Sequence, residues 1–134
     1  FMRSIHVLRL TGLDTKNLAL IFRRELEKIR NTKPDPRKPD AYRAFNILTR
    51  NCATIIRDGF QDAGFRAIHG IFPRDLFVNA ACYFLCRAVR TGIKASIFHL
   101  AQLSVPEAAK SATPPLLNPV NVCKNKKLKK YYKT

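Results

Sequence analysis

Residues 51–64, NCATIIRDGFQDAG, carry the clearest local signals in the sequence. The pair Asn51-Cys52 opens a run in which apolar side chains recur at helical spacing. These side chains are Cys52, Ile55, Ile56, Phe60 and Ala63. Gly64 follows them, and glycine is typical of the residue at which a helix ends. The stretch therefore predicts an amphipathic helix with a cysteine at its start.

On the amino-terminal side, the pattern predicts one strand and one helix. Residues 4–10, SIHVLRL, alternate and are rich in aliphatic side chains, which indicates a strand. Asp14 or Thr15 can cap a helix that runs to about Arg30. Its buried face is predicted to consist of Leu18, Phe22, Leu26 and Ile29. Residues 31–40 hold three prolines and predict a surface loop.

On the carboxyl-terminal side, the pattern predicts two more helices and a linker. Residues 66–72 are expected to form a loop or a short strand. Pro73 fits the first turn of a helix, which Gly92 ends. Residues 95–103 are predicted to form a shorter helix. Residues 111–119 contain Pro114, Pro115 and Pro119 and indicate an extended linker into a basic tail.

These elements indicate an α+β, helix-rich fold in which the helix after Asn51 packs on a small antiparallel sheet. A single strand cannot satisfy its own backbone donors and acceptors. Its partners are expected before Phe1 or within residues 42–50 and 66–72, unless the strand itself is wrong. We expect a domain, or its C-terminal part, over residues 1–110, and a proline-rich linker with a basic tail over residues 111–134.

The charge of the chain points to anionic partners. Lys and Arg outnumber Asp and Glu by 25 to 9, for a net charge of +16. Such a chain attracts nucleic acid, anionic lipid or acidic wall polymers. The excess of basic over acidic residues is greatest in the tail, residues 123–134. This predicts either a polyanion-binding segment or, equally, a disordered end that increases solubility. Its basic residues are Lys124, Lys126, Lys127, Lys129, Lys130 and Lys133.

Targeting signals are not evident in the pattern. Residues 1–13 lack a continuous hydrophobic stretch, so no signal peptide is predicted, and no apolar run reaches the length of a membrane span. Because Phe1 precedes Met2, we expect a processed product, a fragment or a chain with one residue before its initiator.

Cys52 admits two interpretations. The start of a helix presents unpaired N–H groups and the positive end of the macrodipole, and both favour a nucleophilic thiolate. However, cysteine is also a small hydrophobe, and Cys52 is in register with Ile55 and Ile56. Position alone favours the second interpretation, a packed and inert thiol.

A resemblance of the residues around Cys52 to a known family favours the nucleophilic interpretation. Residues 42–64 resemble the nucleophile segment of circularly permuted papain-like cysteine hydrolases, which include NlpC-type peptidoglycan peptidases and relatives of lecithin:retinol acyltransferase. That pattern is a tyrosine, a leucine, Asn-Cys, a threonine two residues on, an apolar helix and Ala-Gly. The matching residues are Tyr42, Leu48, Asn51, Cys52, Thr54, Ala63 and Gly64. The similarity, including the order strand, turn, helix and loop, covers roughly residues 3–80.

The resemblance implies roles for particular residues. Cys52 is the expected nucleophile, and Asn51 with the backbone N–H groups near residues 52–54 orients the site or binds the oxyanion. In the permuted families the catalytic histidine precedes the cysteine on a strand. Only His6 precedes Cys52 here. The better match to the family places the base on a strand upstream of Phe1. In that case this chain holds only part of the catalytic site.

The other histidines and cysteines have plainer interpretations. His6 is equally well explained as a strand histidine that faces solvent or a partner strand. His69 follows the nucleophile helix, as in papain-like proteins of ordinary order, and His99 fits a packed or surface histidine. Cys82 and Cys86 are four residues apart and share a helix face, yet core packing explains them better than metal binding. We therefore expect no cofactor and no metal.

Two functions follow. The first is a cysteine hydrolase of the bacterial envelope or a secreted antibacterial effector, which cleaves an amide or ester bond, foremost in peptidoglycan. Peptidoglycan or another anionic envelope polymer, an N-terminal fragment that completes the site and an anionic membrane are its expected partners. The second is a non-catalytic basic module for anionic lipid, nucleic acid or an acidic protein. Nucleic acid is the less favoured partner, because the sequence shows no zinc finger, RNA-recognition signature or clear helix-turn-helix.

Overall fold

A computed structural model describes residues 4–33, 36–37, 50–86, 92–101 and 118–133. The elements follow in the order β1 (Ser4–Thr11), α1 (Thr15–Asn31), α2 (Cys52–Asp62), α3 (Pro73–Cys86), β2 (Lys94–Ala101), α4 (Pro119–Leu128), a 3-10 turn (Lys129–Tyr131) and β3 (Tyr132–Lys133). The α+β, helix-rich class predicted from the sequence is confirmed. Of the described helices, none has the length and apolar composition needed to cross a membrane.

The chain divides into two compact units. The sheet unit comprises Phe1–Leu13 and Phe77–Thr134, and the helical unit comprises Asp14–Leu76. This division falls within α3, whereas the sequence predicted a boundary near residue 110. The predicted nucleophile helix α2 belongs to the helical unit, and all three strands belong to the sheet unit.

The sheet is built on the pairing of β1 with β2. The two strands are antiparallel and in register over their whole length, from Ser4 opposite Ala101 to Thr11 opposite Lys94. The short strand β3 pairs in parallel with the other edge of β2, so the strand order is β1-β2-β3. The predicted strand at residues 4–10 is confirmed. Its partner is none of the segments that the sequence proposed.

The helix predicted at residues 95–103 is wrong, because this segment forms β2. A short apolar run cannot be assigned to a helix or a strand from periodicity alone. Pairing with β1 decides the matter, since it satisfies the backbone groups of both strands. It also places Ile97 in the core, where its side chain is fully buried.

The core of the sheet unit joins α3, β2 and α4. Its buried residues are Val78, Ala81, Ile97 and Leu128. A polar contact beside this core links α3 to α4: buried Asn79 donates from Nδ2 to Oδ1 of Asn121 at 2.9 Å. Lys124 donates from Nζ to Oδ1 of Asn79. Both buried amides therefore have partners, as buried polar groups require.

The basic tail contributes to this core. Asn118 caps α4 by accepting the N–H of Val120, and Pro119 occupies the first turn. Leu128 is completely buried. The interpretation of a disordered end therefore does not describe residues 118–133. Residues 111–117 of the predicted linker lie outside the described residues.

The helical unit rests on the contact of α1 with α2. Asp14 caps α1 by accepting the N–H of Asn17, as predicted. A Cβ atom at Gly59 of α2 would lie 2.5 Å from the ring of Phe22, so glycine permits the close approach of the two helices. Glu25 of α1 also lies 3.7 Å from the guanidinium of Arg50, directly before α2. The predicted end of α2 is confirmed, with Gly64 at a φ of 98°.

We predict that Leu128→Ala lowers the free energy of unfolding by about 2–5 kcal/mol, because it leaves a cavity in the core of the sheet unit. Urea unfolding followed by circular dichroism measures the change. Val120→Ala is the matched control on the same helix, since Val120 is 58% exposed, and its effect should stay within about 0.5 kcal/mol. Equal effects of the two substitutions would show that the tail does not support the fold.

Candidate active site

The structure places Cys52 at the first residue of α2, with a free and exposed thiol. The packed thiol that position alone favoured is therefore wrong. The next two residues, Ala53 and Thr54, are buried, and they hold this end of the helix in the unit while Cys52 faces outward. Tyr42 and Leu48 of the family pattern lie outside the described residues.

Asn51 builds the start of α2 through a reciprocal cap. Its side-chain Oδ1 accepts the N–H of Ala53 at 2.9 Å and that of Thr54 at 3.0 Å. In return, Thr54 Oγ1 accepts the N–H of Asn51 at 2.8 Å and donates to the Asn51 carbonyl at 3.0 Å. This arrangement is a capping box with threonine at the third helical position.

The amide of Asn51 also ties α2 to the segment that follows it. Its Nδ2 donates to the carbonyl of Ile71 at 3.1 Å, and the residue is only 7% exposed. Asn51 therefore fixes the backbone on which Cys52 sits, which fits the orienting role predicted for it. The sequence predicted the N–H groups of residues 52–54 as possible oxyanion donors. The cap occupies those of Ala53 and Thr54 and does not engage that of Cys52.

His6, the predicted base, lies on β1 within a small cluster of rings. Its cross-strand partner in the register is His99, and the two ring centroids are 4.4 Å apart. Nδ1 of His6 shares a hydrogen bond of 2.7 Å with the hydroxyl of Tyr132, whose ring lies 4.2 Å from that of His99. Burial raises the pKa of Tyr132 above its usual value. His6 thus faces a partner strand, as one of its two interpretations expected, and its ring is held in place.

The two predicted catalytic residues belong to different units: Cys52 to the helical unit and His6 to the sheet unit. The histidine of the helical unit is His69, which is exposed in the loop before α3. In the described part of the helical unit, no hydrogen bond joins the Cys52 thiol to His69. The described contacts therefore fix the backbone at Cys52 and the ring of His6, each within its own unit.

The lysines predicted to bind polyanions lie on one ordered segment. Lys126, Lys127, Lys129 and Lys130 are exposed on α4 and the 3-10 turn. Lys124 is half-buried against Asn79, and Lys130 lies over the ring of Tyr131 at 4.9 Å. The side chain of Lys133 lies outside the described residues. The four exposed lysines form what we term the lysine face.

Cys82 and Cys86 face each other on α3. Their sulfur atoms are 3.9 Å apart, and Cys86 Sγ lies 3.8 Å from the hydroxyl of Tyr131. Burial raises the pKa of Cys82, and the neighbouring Cys86 raises it further, while Lys124 and Lys127 act in the opposite direction. Within the described ranges, no three His, Cys, Asp or Glu side chains are grouped to hold a metal ion.

Sequence reasoning included Thr54 in the family pattern but missed its capping role, and it missed the contact of Tyr132 with His6. Thr54 was detectable, because a polar side chain three residues after a capping residue is the signature of a capping box. Tyr132 was not detectable, since its contact with His6 joins residues 126 positions apart.

Comparison of the chain with protein-family models, curated proteins and solved structures returns no match. The candidate site therefore rests on its own geometry and on the residue pattern around Cys52.

We predict that Asn51→Ala lowers the free energy of unfolding by about 1–2 kcal/mol, because it removes a buried cap with three hydrogen bonds. Asn118→Ala is the matched control, since Asn118 caps α4 from an exposed position with one bond. Its cost should be the smaller, about 0.5 kcal/mol. Denaturant unfolding compares the two variants, and an equal or smaller loss at Asn51 would contradict the assigned role.

Proposed function

We propose that the protein is a cysteine hydrolase with Cys52 as its nucleophile. The observation that carries the proposal is an exposed, free thiol at the first residue of a helix whose start is fixed by the buried pair Asn51 and Thr54. A thiol held at such a position is presented to solvent from a fixed backbone, as a nucleophile requires. The order β1, α1 and α2 also matches the order that the resemblance implies.

The proposed reaction has two steps. A histidine takes the proton of the Cys52 thiol, and the thiolate attacks the carbonyl carbon of an amide or ester. The C–N or C–O bond then breaks as the leaving group takes that proton from the imidazolium. The resulting thioester is then attacked by water, which yields the carboxylic acid and restores the thiol. The N–H of Cys52, which the cap does not engage, is the group proposed to donate to the developing oxyanion.

His6 is the base that the sequence proposes, and a histidine outside residues 1–134 is the alternative. The contact of His6 Nδ1 with Tyr132 supports the first. A catalytic imidazole needs a third polar group that fixes its ring and tautomer. When Nδ1 carries the proton and donates to the tyrosine oxygen, Nε2 is the ring nitrogen that accepts a proton in the proposed reaction.

The proposed substrate class is the peptide part of peptidoglycan, in the bacterial envelope or in a target cell reached by secretion. The resemblance supplies this assignment, and the net charge of +16 is consistent with it. A basic protein is concentrated near anionic envelope polymers before any specific contact forms.

We predict that iodoacetamide alkylates Cys52 several-fold faster than Cys123 at neutral pH. Both thiols are free and exposed, so Cys123 is an internal control for access. Peptide mass spectrometry at timed quenches gives both rates, and the difference should vanish in denaturant. Alkylation of Cys52 at or below the rate of Cys123 would overturn the proposal.

Single substitutions test the hydrolysis reaction itself. Hydrolysis of peptidoglycan fragments should be lost in Cys52→Ser and kept in Cys123→Ser. His6→Ala should remove hydrolysis if His6 is the base, and His69→Ala, also at an exposed histidine, is the control.

The lysine face supports a second candidate function, a basic module that binds anionic lipid, nucleic acid or an acidic protein. Residues 118–133 contain no acidic side chain, and four of their lysines are exposed on a segment anchored by buried Leu128. Cys52 has no role in this function.

We predict that Gln substitution of Lys126, Lys127, Lys129 and Lys130 weakens binding to phosphatidylglycerol vesicles by on the order of 1 kcal/mol per lysine. Sedimentation with vesicles at several salt concentrations measures the loss. The control replaces four exposed basic residues of the helical unit, Lys16, Arg23, Arg24 and Arg66, with Gln. Equal losses in both variants would show that the lysine face acts only through the net charge of the chain. Cys52→Ala should bind as the unmodified chain does.

A further inference from the structure

The thiol pair at the end of α3 has no part in the proposed reaction. Cys82 and Cys86 are four residues apart, and side chains at that spacing are neighbours on one face of a helix. Neither thiol is in a disulfide, and their sulfur atoms are 3.9 Å apart. Cys82 is half-buried and Cys86 is exposed, so the pair opens to solvent on one side.

The distance between the sulfur atoms is the one that a tetrahedral metal requires. Zinc holds thiolate sulfur at about 2.3 Å, and two such ligands at the tetrahedral angle lie about 3.8 Å apart. The observed distance of 3.9 Å between the sulfur atoms of Cys82 and Cys86 matches this separation. Both sulfur atoms stand on one turn of a regular helix, so an ion can bind them without a change in the backbone.

A divalent ion bound by both sulfur atoms balances the charge of the two thiolates. Binding releases one proton from each thiol to solvent, so that two thiols and one divalent ion give one dithiolate complex and two protons.

We propose that Cys82 and Cys86 form an open binding site for a thiophilic metal ion of the zinc class. The two thiolates supply half of a tetrahedral shell, and water or an external ligand supplies the rest from the exposed side of Cys86. The hydroxyl of Tyr131, 3.8 Å from Cys86 Sγ, lies at its rim. No third Cys, His, Asp or Glu completes the shell within the described ranges, so the ion exchanges readily, unlike one in a closed structural site.

Cadmium is a suitable probe, because it binds thiolates as zinc does and its thiolate complexes absorb in the ultraviolet. The full reduced chain is titrated with Cd²⁺, and the charge-transfer band gives stoichiometry and affinity. We expect one ion per chain, an affinity about tenfold or more weaker in Cys82→Ser and in Cys86→Ser, and displacement of cadmium by Zn²⁺. Cys52→Ser and Cys123→Ser, at the two other free thiols, are the matched controls and should bind as the unmodified chain does.

A second measurement needs no variant. With one equivalent of Zn²⁺, alkylation of Cys82 and Cys86 should slow together, while Cys52 and Cys123 keep their rates. Unchanged cadmium binding in Cys86→Ser, an equal loss in Cys123→Ser, or zinc protection of Cys52 and Cys123 in place of the pair would each overturn the site. None of these results bears on Cys52 as nucleophile, so the two proposals fail separately.

Discussion

The antiparallel ladder between β1 and β2 is the interaction on which the sheet unit depends. It joins residues 4–11 to residues 94–101, so the segment between them begins and ends at one pair of strands. Neither strand could keep its backbone groups satisfied alone. Once formed, the ladder buries Ile97 and offers the free edge of β2 to β3. That edge, together with buried Leu128, holds the lysine-rich segment against the sheet unit.

A second and smaller constraint governs the candidate active site. The start of α2 is fixed by hydrogen bonds that run in both directions between Asn51 and Thr54, and by one from Asn51 to Ile71. Two consequences follow for the reaction that we propose. The thiol of Cys52 is presented from a defined backbone, and the N–H groups of Ala53 and Thr54 are occupied by the cap. In that proposal, the N–H of Cys52 is the helix donor for the oxyanion.

The sequence predicted the elements whose ends are marked by local chemistry. Asp14, Pro73 and Gly64 act within a turn of their own positions, and each does in the structure what its residue type predicts. The segment at residues 94–101 was misassigned because its fold depends on a strand more than 80 residues away. The sequence allowed a disordered tail because its composition is dominated by lysines, while its buried residues, Asn121 and Leu128, are few. The ring cluster of His6, His99 and Tyr132 depends on strand register, which no local pattern contains.

The nucleophilic role of Cys52 is tested most directly by trapping its acyl intermediate. The chain is mixed with p-nitrophenyl acetate, quenched in acid and digested, and mass spectrometry locates the acetyl group. We expect one acetyl thioester per chain, located on Cys52, which forms before any on the also exposed Cys123 and is absent from Cys52→Ser. Acetylation divided evenly between Cys52 and Cys123 would contradict the nucleophilic role of Cys52.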